Sequence, residues 1–342
     1  MNMPSDTMDR EAARALHRQL TVVDGLQYSN WDRAIFEQLR EGGVDAIHVT
    51  IAYWENARET LSRIGEWNRR FAANGDLIRP VRAGADVRAA RDEGRVGVFY
   101  GAQNCSIIED DIDLVAVFRE LGVFLMQLTY NNQSLLGTGC YEDNDTGITR
   151  FGREVIREMN RVGMLIDMSH SAERTTLEAV EYSTRPVVVS HANPLFFRDV
   201  SRNKSERVLR ALAESGGLLG FSAYPLHLGD GSECTLEAYC EMIARTAEIM
   251  GPEHLGIGSD LCQQQPDEVL RWMRNGRWRR VLDGDEPEPP RWPPQPAWLR
   301  DGRDFPNLTA GLMARGFSRE EITGIMGENW LRVLDDGIAA MH

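Results

Sequence analysis

Three apolar stretches of this sequence end in residues that can act together on a polar bond. "GMLIDMSH" (163–170) ends in His170, "RPVVVSH" (185–191) in His191 and "HLGIGSD" (254–260) in Asp260. Neutral imidazoles bind a divalent metal such as zinc well, and a carboxylate beside the metal can take a proton from bound water. A lone histidine at a strand end is usually only a hydrogen-bonded polar residue. Two of them after consecutive runs, with an aspartate after a third, point to a site. Other runs are followed by Gln103 and Asn104 in "YGAQN" and by Tyr130 and Asn132 in "LTYNNQ". His48 falls mid-run and reads as a satisfied core residue, while His17, His227, His254 and His342 read as helix, loop or terminal residues.

The elements that must position these residues form a regular series. Short apolar runs bounded by turn residues are the mark of strands buried on both faces. Eight occur, at 20–24, 45–52, 96–101, 122–130, 163–170, 185–191, 216–223 and 254–260. Most of the gaps carry helical patterns, as in "DRAIFEQLREGG", "DLVAVFRELG", "TRFGREVIREMNRVG", "SERVLRALAESGG" and "TLEAYCEMIARTAEIMG". Strand and helix alternating eight times predict an α/β fold, a (β/α)8 TIM barrel, with the doubly wound open sheet as its competitor. Chemistry in such a barrel sits at the C-terminal strand ends, where the polar residues above fall. Residues 263–305, rich in Pro, Trp and charge, form a loop or helical excursion near the barrel mouth, with Trp272, Trp278, Trp292 and Trp298 free to pack on the barrel or a partner. Amphipathic helices close the chain, the second with Ser318 and Glu321 set as a capping box. The whole of 1–342 reads as one barrel domain.

The 342 residues carry a formal charge of −14, which disfavours nucleic acid and anionic membrane as partners. The basic cluster "RWMRNGRWRR" is balanced by the following "DGDEPE". Five scattered cysteines without a CxxC pair argue against a disulfide framework. The N-terminal stretch is charged and helical rather than a signal peptide, and no apolar run is long enough to span a bilayer, so a cytoplasmic location is expected. No glycine-rich phosphate loop follows a strand, and no G-x-S-x-G elbow is present.

The set "LIDMSHSAERT", "PVVVSHANP", "SRNKSE", "LGIGSDL" and "FPNLTAGLMARGFSREEITGIMGENWLRVL" resembles the membrane (renal) dipeptidase family, the M19 metallopeptidases of the amidohydrolase superfamily. The resemblance runs from about residue 20 to 335. It implies a (β/α)8 barrel, a homodimer, and a two-zinc site that cleaves dipeptides. It also implies a His-x-Asp pair after the first strand, a metal-bridging Glu after the third and a substrate-contacting His after the fourth. Here those places read Leu26 and Tyr28, Gln103, and Tyr130. Leucine cannot ligate a metal, and tyrosine would first have to lose a proton with a reference pKa near 10. Replacing an Asp and a Glu removes two negative charges, which matches the loss of one divalent cation.

The reading that follows is a divergent branch with one zinc per chain, or none. His170, His191 and Gln103 would be the metal ligands. Asp260 would be the general base and Tyr130 would steady the oxyanion. Arg202, with Tyr130 and Asn132, would bind the substrate, a dipeptide or dipeptide-like small molecule. The competing readings are changed chemistry on a small carboxylate or betaine-type metabolite, as a lyase or deacylase, and a non-catalytic homologue.

Overall fold

Among the described residues nine strands, all paired in parallel, carry the site: β1 (Val23–Gln27), β2 (Ala46–Ala52), β3 (Ile78–Pro80), β4 (Val96–Ala102), β5 (Val123–Gln127), β6 (Leu165–Asp167), β7 (Val187–Ala192), β8 (Leu218–Phe221) and β9 (Leu255–Ile257). The computed structural model describes residues 4–280 and 291–338. Eight of the strands close into a ring, sealed where β2 pairs with β4 and β1 with β9. This is the parallel eight-stranded TIM barrel. The short β3 is an addition on β4, with Ile78 opposite Val96 and Pro80 opposite Val98. Helices fill the connections, among them Arg33–Glu41, Ala57–Ala73, Arg150–Val162, Glu206–Glu214 and Leu236–Met250. Their buried faces and the outer faces of the strands make the larger core.

A second core lies inside the lower barrel, where Val23, Ala46, Phe99, Leu125, Leu165, Val188 and Leu218 meet Trp330. Trp330 comes from the last helix, Asn329–Ile338, and its indole N–H donates to the Ile257 carbonyl at 2.9 Å. This plug corrects one expectation. The first apolar run, 20–24, ends at Asp24, yet Asp24 and Gly25 both lie inside β1, which runs on to Gln27. Gly25 is there because the Trp330 ring lies against the backbone, and a Cβ would stand 2.1 Å from it. Asp24 turns inward, where the Ser259 backbone N–H and hydroxyl both donate to its carboxylate. Leu26 is therefore a strand residue, and Tyr28 follows the strand directly.

The described part of the excursion after β9 folds over the barrel mouth. Positions 281–290 of it lie outside the described residues. Its helix Asp267–Asn275 is tied down by the Trp54 indole N–H to the Met273 carbonyl (3.1 Å) and the Trp272 indole N–H to Glu55 (3.2 Å). Trp272 and Trp292 cover the mouth, Trp278 lies edge-on to Trp54 and stays half exposed, and Trp298 packs instead on Tyr239 with ring centres 4.7 Å apart. The capping box of Ser318 and Glu321 is present in both directions. All five cysteines are free. Among the described residues, no helix is long and apolar enough to cross a membrane.

Candidate active site

His191 ends the inward face of β7, and His170 lies on the turn that follows β6. Both are buried, and their Nε2 atoms face each other at 3.1 Å. The other ring nitrogens fix the tautomers. Ser190 gives its hydroxyl proton to Asp167, so its oxygen must accept from His191 Nδ1–H at 2.7 Å. Asn131 Oδ1 likewise accepts from His170 Nδ1–H at 2.6 Å. Each Nε2 therefore presents a lone pair. Burial, with the nearby Arg202 charge second, holds both histidines well below the ordinary imidazole pKa, so both are neutral at pH 7.

Two cations buried in the loop after β7 hold the turn that carries His170. Lys204 Nζ donates to the carbonyls of Met168 and Ser171, both at 2.9 Å. Arg202 donates to the Ser169 carbonyl, to the His191 carbonyl at 3.3 Å and to His170 Nε2 at 3.2 Å. Burial lowers the Lys204 pKa to about 7, with the charge of Arg202 a lesser cause.

Asp260 sits just beyond β9 in the left-handed region, at φ 59°, and its backbone N–H donates to the Leu26 carbonyl at 3.0 Å. Burial raises its pKa to about 7, against the opposing effects of Arg202 and a hydrogen bond from Ser222. That value suits a base working near neutrality. Tyr130 lays its ring on His170, with centres 4.3 Å apart. Gln103 gives its amide N–H to Thr50 at 2.8 Å, which leaves its carbonyl oxygen as the atom with lone pairs to offer. Asn132 is half-buried; its backbone N–H donates to the Tyr130 carbonyl, and its neighbour Asn131 is the residue that reaches His170.

Leu26 and Tyr28 are fully buried beside these groups and pack with Tyr53 and Tyr130 under Trp54, Trp272 and Trp292. The mouth on that side is apolar. Among the described residues, no three His, Cys, Asp or Glu side chains lie close enough together to hold a metal ion. The nitrogens of His170 and His191 are the convergent donors, and an amide oxygen or solvent would have to complete a coordination shell. They suit one ion: two buried lone pairs face each other with no proton of their own between them, and a cation relieves that arrangement.

The sequence reading did not find Asn131 or His227. His227, read as a loop or helix residue, is buried on a short turn after β8, with Nδ1 at 2.9 Å from Ser222 Oγ and 3.8 Å from Asp260. His48 is only half satisfied, since Nδ1 donates to the Gly25 carbonyl at 2.6 Å and Nε2 has no partner. The reason is steric: Nε2 points at Gly101, where a Cβ would stand 1.8 Å away.

A family model for the membrane dipeptidases, peptidase family M19, matches residues 10–270. Among curated proteins, dipeptidase tcpJ of Claviceps purpurea is 27% identical over 298 residues, 85% of this chain. The chain spans 61% of that protein's length. Dipeptidase aclJ of Aspergillus oryzae is 26% identical over 319 residues, 88% of this chain and 69% of its own. An amidohydrolase from Pseudomonas aeruginosa superposes with a TM-score of 0.90 at 38% identity, covering 96% of this chain and 99% of its own. A metallopeptidase from Rhodobacter sphaeroides, solved with a phosphinate mimic of the dipeptide L-Ala-D-Ala, shares the fold at a TM-score of 0.77 and 20% identity, covering 93% and 99%.

Proposed function

From the premise that this chain belongs to the membrane dipeptidase family, peptidase family M19, a family of metallopeptidases, we propose that it hydrolyses the amide bond of a dipeptide or dipeptide-like molecule with one zinc ion per chain. The observation that carries this reading is the pair of facing lone pairs on His170 and His191, 3.1 Å apart. Those two nitrogens would hold the ion, with the Gln103 amide oxygen and water to complete it. Zinc bound there supplies a polarised carbonyl and a water of lowered pKa. The one-zinc reading is supported by Leu26 and Tyr28, which stand in an apolar cluster where the resemblance implies ligands of a second zinc.

The residues of the chain do the rest. Asp260, with a pKa raised to about 7, takes the proton of the attacking water and returns it to the leaving amine. Tyr130, against His170, brings a hydroxyl that donates to the developing oxyanion. Arg202 is the partner for a substrate carboxylate. The N–H it now gives to His170 Nε2 is freed once that nitrogen is a ligand. The aromatic cap of Trp54, Trp272 and Trp292, packed on Tyr28, Tyr53 and Tyr130, would restrict access to the site. The L-Ala-D-Ala mimic bound by the Rhodobacter sphaeroides enzyme supports a dipeptide as substrate.

The test is metal content per chain, by elemental mass spectrometry on protein purified without added metal, combined with hydrolysis of L-Ala-D-Ala. The expected result is about one zinc per chain in wild type, lost together with activity in His170→Ala. Two equivalents would overturn the one-metal reading. No metal and no hydrolysis would turn the site towards changed chemistry on a small carboxylate, with Arg202 as its resident cation.

A further inference from the structure

We propose that His227 is a positioning residue for Asp260, acting through the hydroxyl of Ser222. The proposal rests on Asp260 being the base of the reaction above, and it adds the group that aims that base. Ser222 Oγ lies between the two, 2.9 Å from His227 Nδ1 and 3.4 Å from Asp260 Oδ2. The direction of the chain follows from counting protons. Ser222 Oγ accepts the Tyr224 backbone N–H at 3.1 Å, and it has one proton to give. In the base form, ready to take a proton, the Asp260 carboxylate is ionised and can only accept. If the serine proton goes to Asp260, the remaining Ser222 lone pair accepts from His227 Nδ1–H, and His227 Nδ1, Ser222 Oγ and Asp260 Oδ2 are all paired. If it goes to His227 instead, the contact to Asp260 is lost and a buried carboxylate oxygen loses its serine donor. The arrangement is therefore His227 Nδ1–H to Ser222 Oγ–H to Asp260 Oδ2.

The turn that bears His227 is built to hold it still. The side-chain amides of Asn193 and Asn203 both donate to the His227 carbonyl, each at 3.2 Å. The His227 backbone N–H donates to the Tyr224 carbonyl at 2.8 Å, and the Tyr224 ring lies edge-on to the imidazole with centres 5.2 Å apart. Asn193 also donates to the Ser222 carbonyl at 2.9 Å and accepts the Ser222 backbone N–H at 3.1 Å, so one side chain fixes both the serine and the histidine. A base held by an oriented donor, itself oriented by a third group, is the general logic of a catalytic triad. Here it is built from an aspartate, a serine and a histidine, with the aspartate facing substrate. Among the described residues no hydrogen bond joins the His227 ring to His170 or His191; its contacts with the site run to Ser222 and Asp260.

The experiment compares His227→Asn, which keeps an N–H at the Nδ1 position, with His227→Gln, which moves it to the Nε2 position, and with Ser222→Ala. Steady-state hydrolysis of L-Ala-D-Ala should show kcat reduced about tenfold or more in His227→Gln and Ser222→Ala with KM nearly unchanged, and largely restored in His227→Asn. Equal loss in Asn and Gln variants would overturn the proposal. The second readout does not depend on turnover. Nitrogen-15 spectra of histidine-labelled protein should show His227 as the Nδ1–H tautomer, with its Nδ1 shift moved by Asp260→Asn and by Ser222→Ala. An Nε2–H tautomer, or a ring indifferent to both substitutions, would overturn it. Asp260→Asn in the kinetic assay separates the two failures: if that variant still hydrolyses the dipeptide, the base assignment is wrong, and the spectra alone decide whether the hydrogen-bonded chain exists.

Discussion

The Nε2 atoms of His170 and His191 lie 3.1 Å apart, and neither carries a proton in the hydrogen-bond network that surrounds them. What keeps them so is the pair of acceptors behind them, Asn131 Oδ1 and Ser190 Oγ. Groups that orient metal-ligating histidines in this way matter nearly as much as the ligands. Asn131→Ala and Ser190→Ala should each weaken zinc binding by about 10- to 100-fold while leaving both imidazoles in place. Competition against a chelator of known affinity measures this. Unchanged affinity in both variants would mean that the tautomers are not set by these residues.

Asp260 couples activity to stability in opposite senses. Its folded pKa is raised to about 7 by burial, against about 3.9 for an unfolded aspartate. A group raised on folding favours the folded state fully below the unfolded pKa, and that contribution is lost as pH rises through the folded value. In metal-free protein, Asp260→Asn mimics the protonated form. Relative to wild type it should become more stable as pH rises from about 4 to 7, then level off at an advantage of a few kcal/mol. Urea denaturation of both proteins in chelator at pH 4.5, 6 and 8 measures the difference. The same variant should hydrolyse dipeptides at least about 100-fold more slowly. A constant stability difference across pH would show that Asp260 is not titrating in this window.

The barrel was legible because strands buried on both faces leave continuous apolar runs, and all eight ring strands coincide with such runs. The register of β1 was not, for a specific reason. Asp24-Gly25 has the composition of a turn, and only the arrival of Trp330, some three hundred residues later in the chain, explains why a glycine must stand there. β3 escaped notice because three residues ending in Pro80 make no pattern, and it pairs with β4 alone. His170, His191 and Asp260 could be named because they end runs whose depth in the barrel is set by strand length. Asn131 and His227 could not, since both act from irregular segments whose course is decided by tertiary contacts: the Asn193 and Asn203 amides for His227, and the turn at Cys140 and Tyr141 for Asn131, whose carbonyl accepts the Tyr141 N–H at 2.9 Å. Leu26 and Tyr28 were legible only as departures from the pattern that the resemblance implies. That they help build an aromatic cap with residues from three other segments required the fold.

Arg202 stands where its charge opposes a metal and favours a substrate. Its guanidinium donates to His170 Nε2 at 3.2 Å, the atom that would ligate, and its positive charge helps hold both imidazoles below their ordinary pKa. Removing it should therefore act in two directions at once. Arg202→Met keeps much of the buried stem and removes the charge, so zinc should bind more tightly, by about tenfold for each 1.4 kcal/mol of repulsion relieved. Dipeptide hydrolysis should fall at the same time, with the loss expressed mainly in KM, because the carboxylate partner is gone. Arg202→Lys retains the charge without the planar fork and should recover little of the lost KM. Zinc titration and steady-state kinetics on the three proteins give the answer. Weaker zinc binding in Arg202→Met would mean that the contacts of Arg202 to the Ser169 and His191 carbonyls matter more to the metal site, by holding its loops, than the repulsion it brings.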